Sequence, residues 1–146
     1  VDGRYEDNST EAFLAINCLD YPSDPVLDLA RMRATADELA DIAPTIGRFQ
    51  GYGEIFCASW PKRGVETREA VTAAGADPIL VVGTTGDPAT PYRWSVALAE
   101  QLQSGVLVTF EGEGHTAYGQ SSCVNAVVES YFLTGAVPGA DPRCTS

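Results

Sequence analysis

The chain has 146 residues, 45 % of them hydrophobic, enough for one domain with a buried core. A formal net charge of −11, scattered without any block of like charge, leaves no basic stripe to neutralise phosphates, so nucleic acid is excluded as a partner class. No apolar run approaches the length of a membrane span, no signal peptide opens the chain, and in a fragment that second absence says nothing about export.

Val1 to Asn8 is polar and reads as an extended lead-in. Ser9 or Thr10 can cap a helix reaching about Asn17, with Glu11 at its positive end and Phe13, Leu14 and Ile16 facing inward. Cys18 to Asp24 is rich in turn residues. From Val26 to Ala43 the helical period places Leu29, Met32, Ala36, Leu39, Ala40 and Ala43 on one face, and Pro44 stops the helix. Arg31 and Arg33 could grip a carboxylate, although a solvated helix face accounts for them better. Thr45 to Gly64 is irregular and aromatic. Its Phe49, Tyr52, Phe56 and Trp60 read as core packing, with the lining of a substrate cleft as the alternative. Glu66 to Asp77 is a connector.

Pro78 to Tyr118 organises the rest. Ile79 to Gly83 and Val106 to Phe110 are continuous apolar runs, the pattern of strands buried on both faces in a parallel sheet. Between them, Thr90 can cap a helix with Pro91 at its first position, Trp94, Ala97, Leu98 and Leu102 recur at helical spacing, and Gly105 ends it. This is a strand–helix–strand unit, with loops carrying Asp87 and His115 at the carboxyl ends of the strands. A last helix runs from about Ser122 to Leu133, with Val124, Val127, Val128, Tyr131 and Phe132 inward and Gly135 ending it. The tail from Ala136 to Ser146 reads as an irregular strap. Two strands alone are not a stable sheet, so another copy or another segment is expected to cover the open edge, and the native species should then exceed 15.5 kDa.

Four cysteines, Cys18, Cys57, Cys123 and Cys144, and one histidine give little for zinc. An even cysteine count fits disulfides in a secreted protein, with four buried thiols as the alternative. Three pairings are open, and proximity in the sequence favours Cys18–Cys57 and Cys123–Cys144.

The segments Gly83-Thr84-Thr85-Gly86-Asp87-Pro88-Ala89-Thr90-Pro91 and Gly112-Glu113-Gly114-His115-Thr116 resemble the carboxyl-terminal region of α/β-hydrolases, and in particular the tripeptidyl-aminopeptidase-like secreted serine peptidases of actinobacteria. The likeness extends upstream to Ala15–Asp20 and Cys57–Pro61. It implies an α/β fold: the carboxyl-terminal portion of a hydrolase, with an incomplete sheet. Residues 1–64 would be the end of a cap plus a linker, and 65–146 the core segment. It implies Asp87 as the acid and His115 as the base of a Ser–Asp–His triad. No G-x-S-x-G occurs, and none of Ser9, Ser23, Ser59, Ser95, Ser104, Ser121, Ser122, Ser130 and Ser146 sits on a glycine-flanked strand-to-helix turn. The resemblance therefore puts the nucleophile upstream of residue 1, in an amino-terminal portion that would be this chain's partner.

The chemistry explains the residue types. A serine hydroxyl needs a neutral imidazole to take its proton, and a carboxylate on the other ring nitrogen fixes the tautomer and stabilises the imidazolium. Glu111 and Glu113 are rival acids, and with His115 a weaker metal-binding alternative. The resemblance further implies a secreted or cell-envelope enzyme acting on peptides without a cofactor. A substrate amino terminus would want an acidic partner, for which Asp20, Glu54 and the Tyr5–Asp7 region are candidates. Two alternatives remain: an inactive fragment that serves as an interaction or dimerisation module, or a parent enzyme that hydrolyses esters or other acyl compounds.

Overall fold

The computed structural model describes residues 7–21, 26–62, 64, 69–139 and 141–145. The chain forms two compact units, residues 1–68 and 69–146. Most of the expected lead-in, part of the turn after Cys18 and the start of the Glu66 connector lie outside the described residues, as do Tyr5, Ser23 and Ser146.

In the first unit, helix α1 spans Ser9–Asp20. Ser9 is its first residue, not its cap, because Asp7 lies just upstream and its Oδ1 accepts the Ser9 N–H at 2.8 Å and the Ser9 hydroxyl at 2.6 Å. Helix α2 spans Leu29–Ile42 and starts later than its apolar period suggests. Asp28 caps it by accepting the N–H groups of Ala30 and Arg31, which fixes the first turn and leaves Val26 to Asp28 outside. Met32 and Ala36 are buried on α2, whereas Leu29 is exposed.

A 3₁₀ helix, Gly47–Tyr52, packs on α2 through backbone. A Cβ on Gly51 would stand 2.7 Å from the Cβ of Ala36, so only glycine permits this approach. That approach leaves the neighbouring rings outside: Phe49 is 69 % exposed and Phe56 64 %, contrary to the core packing expected of them. Phe13 and Ile16 are likewise exposed on α1. Helix α3, Glu54–Ala58, is bonded to α1 by the Cys18–Cys57 disulfide, with Cα atoms 4.9 Å apart. Arg31 holds the Glu54 carboxylate at 2.6 Å, so the carboxylate that Arg31 grips is the chain's own.

The second unit is a parallel three-stranded sheet in the order β1-β2-β3. Strand β1 is Ile79–Gly86 and β2 is Gly105–Glu113, both longer than the apolar runs that signal them. Their register runs from Ile79 opposite Gly105 to Thr84 opposite Phe110. Strand β3, Arg143–Thr145, is a third strand where the sequence reads as irregular strap. It pairs parallel to β2, with Phe110 opposite Cys144. β1 and β3 are the edges among the described residues.

The crossover helix α4 spans Tyr92–Gln101, with Pro91 at its N-cap position and Leu102 at its C-cap. Thr90 therefore does not cap it, and Gly105 opens β2 instead of ending the helix. The helix also turns a different face to the sheet from the one its largest apolar residues mark. Trp94 and Leu98 are 54 % and 46 % exposed, while Tyr92, Ser95, Val96 and Ala99 are half-buried. The reason is close approach: a Cβ on Gly83 of β1 would lie 2.6 Å from the Cβ of Ser95, and one on Gly105 would run into the Ala99 carbonyl. A helix this near the sheet presents small side chains.

Helix α5, Ser122–Thr134, ends at Gly135 in the left-handed conformation (φ 72°). It packs on a core of Phe110, Ala117, Val124 and Cys144, with Val82 and Val128 beside it. Removing Phe110 and Val124 from water contributes about 1.5–3 kcal/mol each. Phe132, expected inside, is 79 % exposed. The Cys123–Cys144 disulfide, with Cα atoms 5.6 Å apart, ties α5 to β3. Beside it the Ser121 hydroxyl donates to the Thr145 carbonyl at 2.8 Å.

Candidate active site

Asp87 is the first residue after β1, and His115 follows β2 by two. Parallel pairing sets the two strand ends side by side. A bulge near the end of β2 adds one residue between Phe110 and Glu113 opposite Thr84 to Gly86. The Thr85 side chain fills it: its Oγ1 accepts the Gly112 N–H and donates to the Gly112 carbonyl, both at 3.2 Å.

The outcome is a direct contact between residues 28 positions apart: His115 Nδ1 lies 2.9 Å from Asp87 Oδ2 and 3.1 Å from Oδ1. The Asp87 side chain is only 4 % exposed, whereas that of His115 is 54 % exposed. Asp87 sits in a dense set of donors. Oδ1 accepts the N–H groups of Ala89 at 2.8 Å and Thr90 at 2.9 Å. Oδ2 accepts the Thr90 hydroxyl at 2.8 Å and, more weakly, the Thr116 N–H at 3.4 Å. The Thr90 N–H above all holds the Asp87 carboxyl well below the usual carboxylate range. Loss of solvent opposes this, and the bonds from His115, the Thr90 hydroxyl and the Ala89 N–H outweigh that loss.

An ionised Asp87 accepts only, so the His115 proton resides on Nδ1 and Nε2 carries the lone pair. Nε2 has no hydrogen-bond partner among the described residues. The pair can therefore take up a proton at Nε2 and stabilise the resulting imidazolium at Nδ1.

The loop behind the imidazole is held from two sides. The Thr116 carbonyl accepts the hydroxyl of buried Thr84 at 3.0 Å and the Gln120 side-chain N–H at 2.9 Å. Gln120 also donates to the His115 carbonyl at 3.3 Å. Thr116 has φ 71°, a rare conformation for a β-branched residue, and Gly114 has φ 105°. Sequence reasoning missed Thr90, Thr84 and Gln120. Thr90 alone left a signal: the run Asp-Pro-Ala-Thr places N–H groups and a hydroxyl two and three residues beyond a carboxylate, as in an Asx turn.

Glu111 Oε1 accepts from Arg143 Nε at 2.6 Å, so this rival acid is paired with the neighbouring strand β3. Among the described residues no group of three His, Cys, Asp or Glu side chains could hold a metal, so the Glu111–Glu113–His115 alternative is not assembled. Asp20 and Glu54 belong to the first unit, where Glu54 is engaged by Arg31. None of the described serines hydrogen-bonds to His115; the hydroxyls of Ser9, Ser104 and Ser121 have partners of their own. An apolar groove along α5, lined by Tyr118, Val128, Glu129, Phe132 and Leu133, contains neither Asp87 nor His115. No helix among the described residues is long and apolar enough to cross a membrane.

Serine protease Hip1 of Mycobacterium tuberculosis is 41 % identical over 146 residues, which cover 97 % of this chain and 27 % of that protein. Carboxylesterase B of the same species is 40 % identical over 148 residues, 99 % of this chain and 28 % of that protein. Tripeptidyl aminopeptidase of Streptomyces coelicolor is 33 % identical over 90 residues, 60 % of this chain and 17 % of that protein. The chain thus spans about a quarter of the length of the first two relatives. A family profile described as "TAP-like protein" matches residues 43–144, and with its parallel sheet, crossover helix and flanking helices the chain belongs to this TAP-like family and has part of an α/β-hydrolase fold.

Proposed function

We propose that this chain supplies the acid and the base of a Ser–His–Asp triad in a secreted serine peptidase. Asp87 is the acid, His115 is the base, and the nucleophilic serine belongs to an amino-terminal portion outside these 146 residues. The observation that carries this reading is the 2.9 Å contact between His115 Nδ1 and a buried, ionised Asp87, with Nε2 left open.

In the reaction, Nε2 takes the serine proton as the oxygen attacks the scissile carbonyl. The imidazolium is stabilised by Asp87 and then gives the proton to the leaving amine. Water repeats the sequence to release the acyl group. Donors to the oxyanion come from the same portion as the serine. Two disulfides support an oxidising compartment, and the relatives named as a serine protease and a tripeptidyl aminopeptidase support a peptide substrate. The open edges of the sheet support pairing with the serine-bearing portion, or with a second copy.

An ester substrate is the second reading, favoured by the relative named as a carboxylesterase. Steady-state rates of the full-length protein on a tripeptide p-nitroanilide and on p-nitrophenyl esters decide between them. On the favoured substrate, His115→Ala should lower kcat by about a thousandfold or more. Retention of a tenth of the activity or more by that variant would remove His115 as the base.

A further inference from the structure

Resting on the triad reading above, we propose that Thr90 is a positioning residue of this site, whose hydroxyl holds the plane of the Asp87 carboxylate and reinforces the His115 tautomer that Asp87 sets.

The hydroxyl has no role in the helix that follows it. Pro91 occupies the N-cap position of α4, and no side chain caps that helix. The partners of Thr90 Oγ1 are instead Asp87 Oδ2 at 2.8 Å and His115 Nδ1 at 3.4 Å.

The two carboxylate oxygens are held differently. Oδ1 is anchored by the backbone N–H groups of Ala89 and Thr90, which any residue at position 90 except proline would retain. Oδ2 is the oxygen nearer the imidazole, and among the described residues its only other close donor besides His115 is the Thr90 hydroxyl; the Thr116 N–H stands off at 3.4 Å. Remove that hydroxyl and the carboxylate can swing about its anchored oxygen, carrying Oδ2 out of line with Nδ1.

A threonine hydroxyl has one proton, and here it goes to Oδ2. What Thr90 Oγ1 turns toward Nδ1 is therefore a lone pair. A ring with its proton on Nδ1 meets that lone pair favourably, while a ring with a bare Nδ1 is repelled by it. Thr90 thus favours the form in which Nε2 is free to accept a proton, the form that general-base catalysis requires.

The test is made on the full-length protein. Thr90→Val keeps the shape and the backbone N–H and deletes only the hydroxyl; Thr90→Ser restores the hydroxyl without the methyl group. For Thr90→Val we expect kcat to fall about tenfold, the loss of one charge-assisted hydrogen bond felt mainly in the transition state, with KM changed less than about twofold. Rates are normalised to active sites titrated with a fluorophosphonate, so misfolded molecules do not count. Thr90→Ser should recover kcat to within about twofold of the parent. A purely structural role would lower the titre or the melting temperature and leave kcat per active site unchanged. An unchanged kcat in Thr90→Val, or equal losses in the valine and serine variants, overturns the proposal. If His115→Ala keeps its activity, the triad reading itself has failed, an outcome separate from any result at Thr90.

Discussion

The Gly114 N–H donates to the Gly86 carbonyl at 3.3 Å, so the loops leaving β1 and β2 are joined one residue before His115 and Asp87. Gly114 holds φ 105° there, with no atom closer than 3.8 Å to where a Cβ would stand. Space is available, but the backbone conformation is not open to other residues. Gly114→Ala should therefore cost about 1–3 kcal/mol of stability as backbone strain, or relax by moving the imidazole. Because small displacements are expensive in catalysis, kcat should fall about a hundredfold. Thermal melts and kinetics on the same preparation measure both, and a variant matching the parent in each would show that the loop does not need this conformation.

Asp87→Asn tests the carboxylate directly. An asparagine can hydrogen-bond the imidazole in the wrong tautomer, so kcat should drop by about a thousandfold or more while the protein stays folded. The pH dependence of stability has a definite sign. The Asp87 carboxyl titrates below its ordinary value of 3.8 in the folded protein. Its contribution is thus present in full above the unfolded value and drains away as pH falls below about 4 toward the folded one. The difference in melting temperature between parent and Asp87→Asn should narrow as pH falls below about 4. A difference that does not change down to about pH 2.5 would mean that Asp87 is not held as a carboxylate by these donors.

The Cys123–Cys144 bridge closes a sequence separation of 21 residues and holds a three-residue strand against β2. Such a short strand cannot hold itself in place. Replacing both cysteines with serine should cost about 3 kcal/mol, read as a lower urea midpoint that added reductant no longer shifts by way of this bridge. No loss of stability would mean that the Ser121–Thr145 bond and the β2–β3 ladder suffice.

Gly83→Ala probes the seating of α4 on the sheet. The new Cβ would stand 2.6 Å from the Cβ of Ser95 and 3.0 Å from the Tyr92 ring, neither of which is the far end of a flexible chain. We expect a loss of about 1–3 kcal/mol from overpacking, and a double variant Gly83→Ala with Ser95→Gly should recover part of it. Additive losses in the double variant would show that the contact is not limiting.

The parts of the fold that were legible in the sequence are those with strong local signals. Two unbroken apolar runs, helical spacing between them and glycines before Asp87 and His115 point to parallel strand ends brought together. The face of α4 was not legible, because hydrophobicity marks Trp94 and Leu98 while close approach at Gly83 selects Ser95. Strand β3 escaped because Arg143, Cys144 and Thr145 are too few to show a period; the Cys123–Cys144 bridge is favoured by proximity in the sequence, but the ladder to β2 is visible only in the fold. The burial expected of Phe13, Phe49, Phe56 and Phe132 did not follow, since apolarity states what a side chain prefers and not what stands over it. Thr90 precedes a helix and also follows a carboxylate by three residues, so its local sequence fits a cap as well as an Asx turn, and the fold selects the second.

In the proposed triad, Asp87 and His115 serve a serine outside these residues. The most direct measurement is fluorophosphonate labelling of the full-length protein, with the adduct located by peptide mass spectrometry and the experiment repeated in His115→Ala. One labelled serine is expected, located outside the 146 residues, with labelling slowed by about a thousandfold in the variant. An adduct on any of this chain's own nine serines, or labelling at the parent rate without His115, would contradict it.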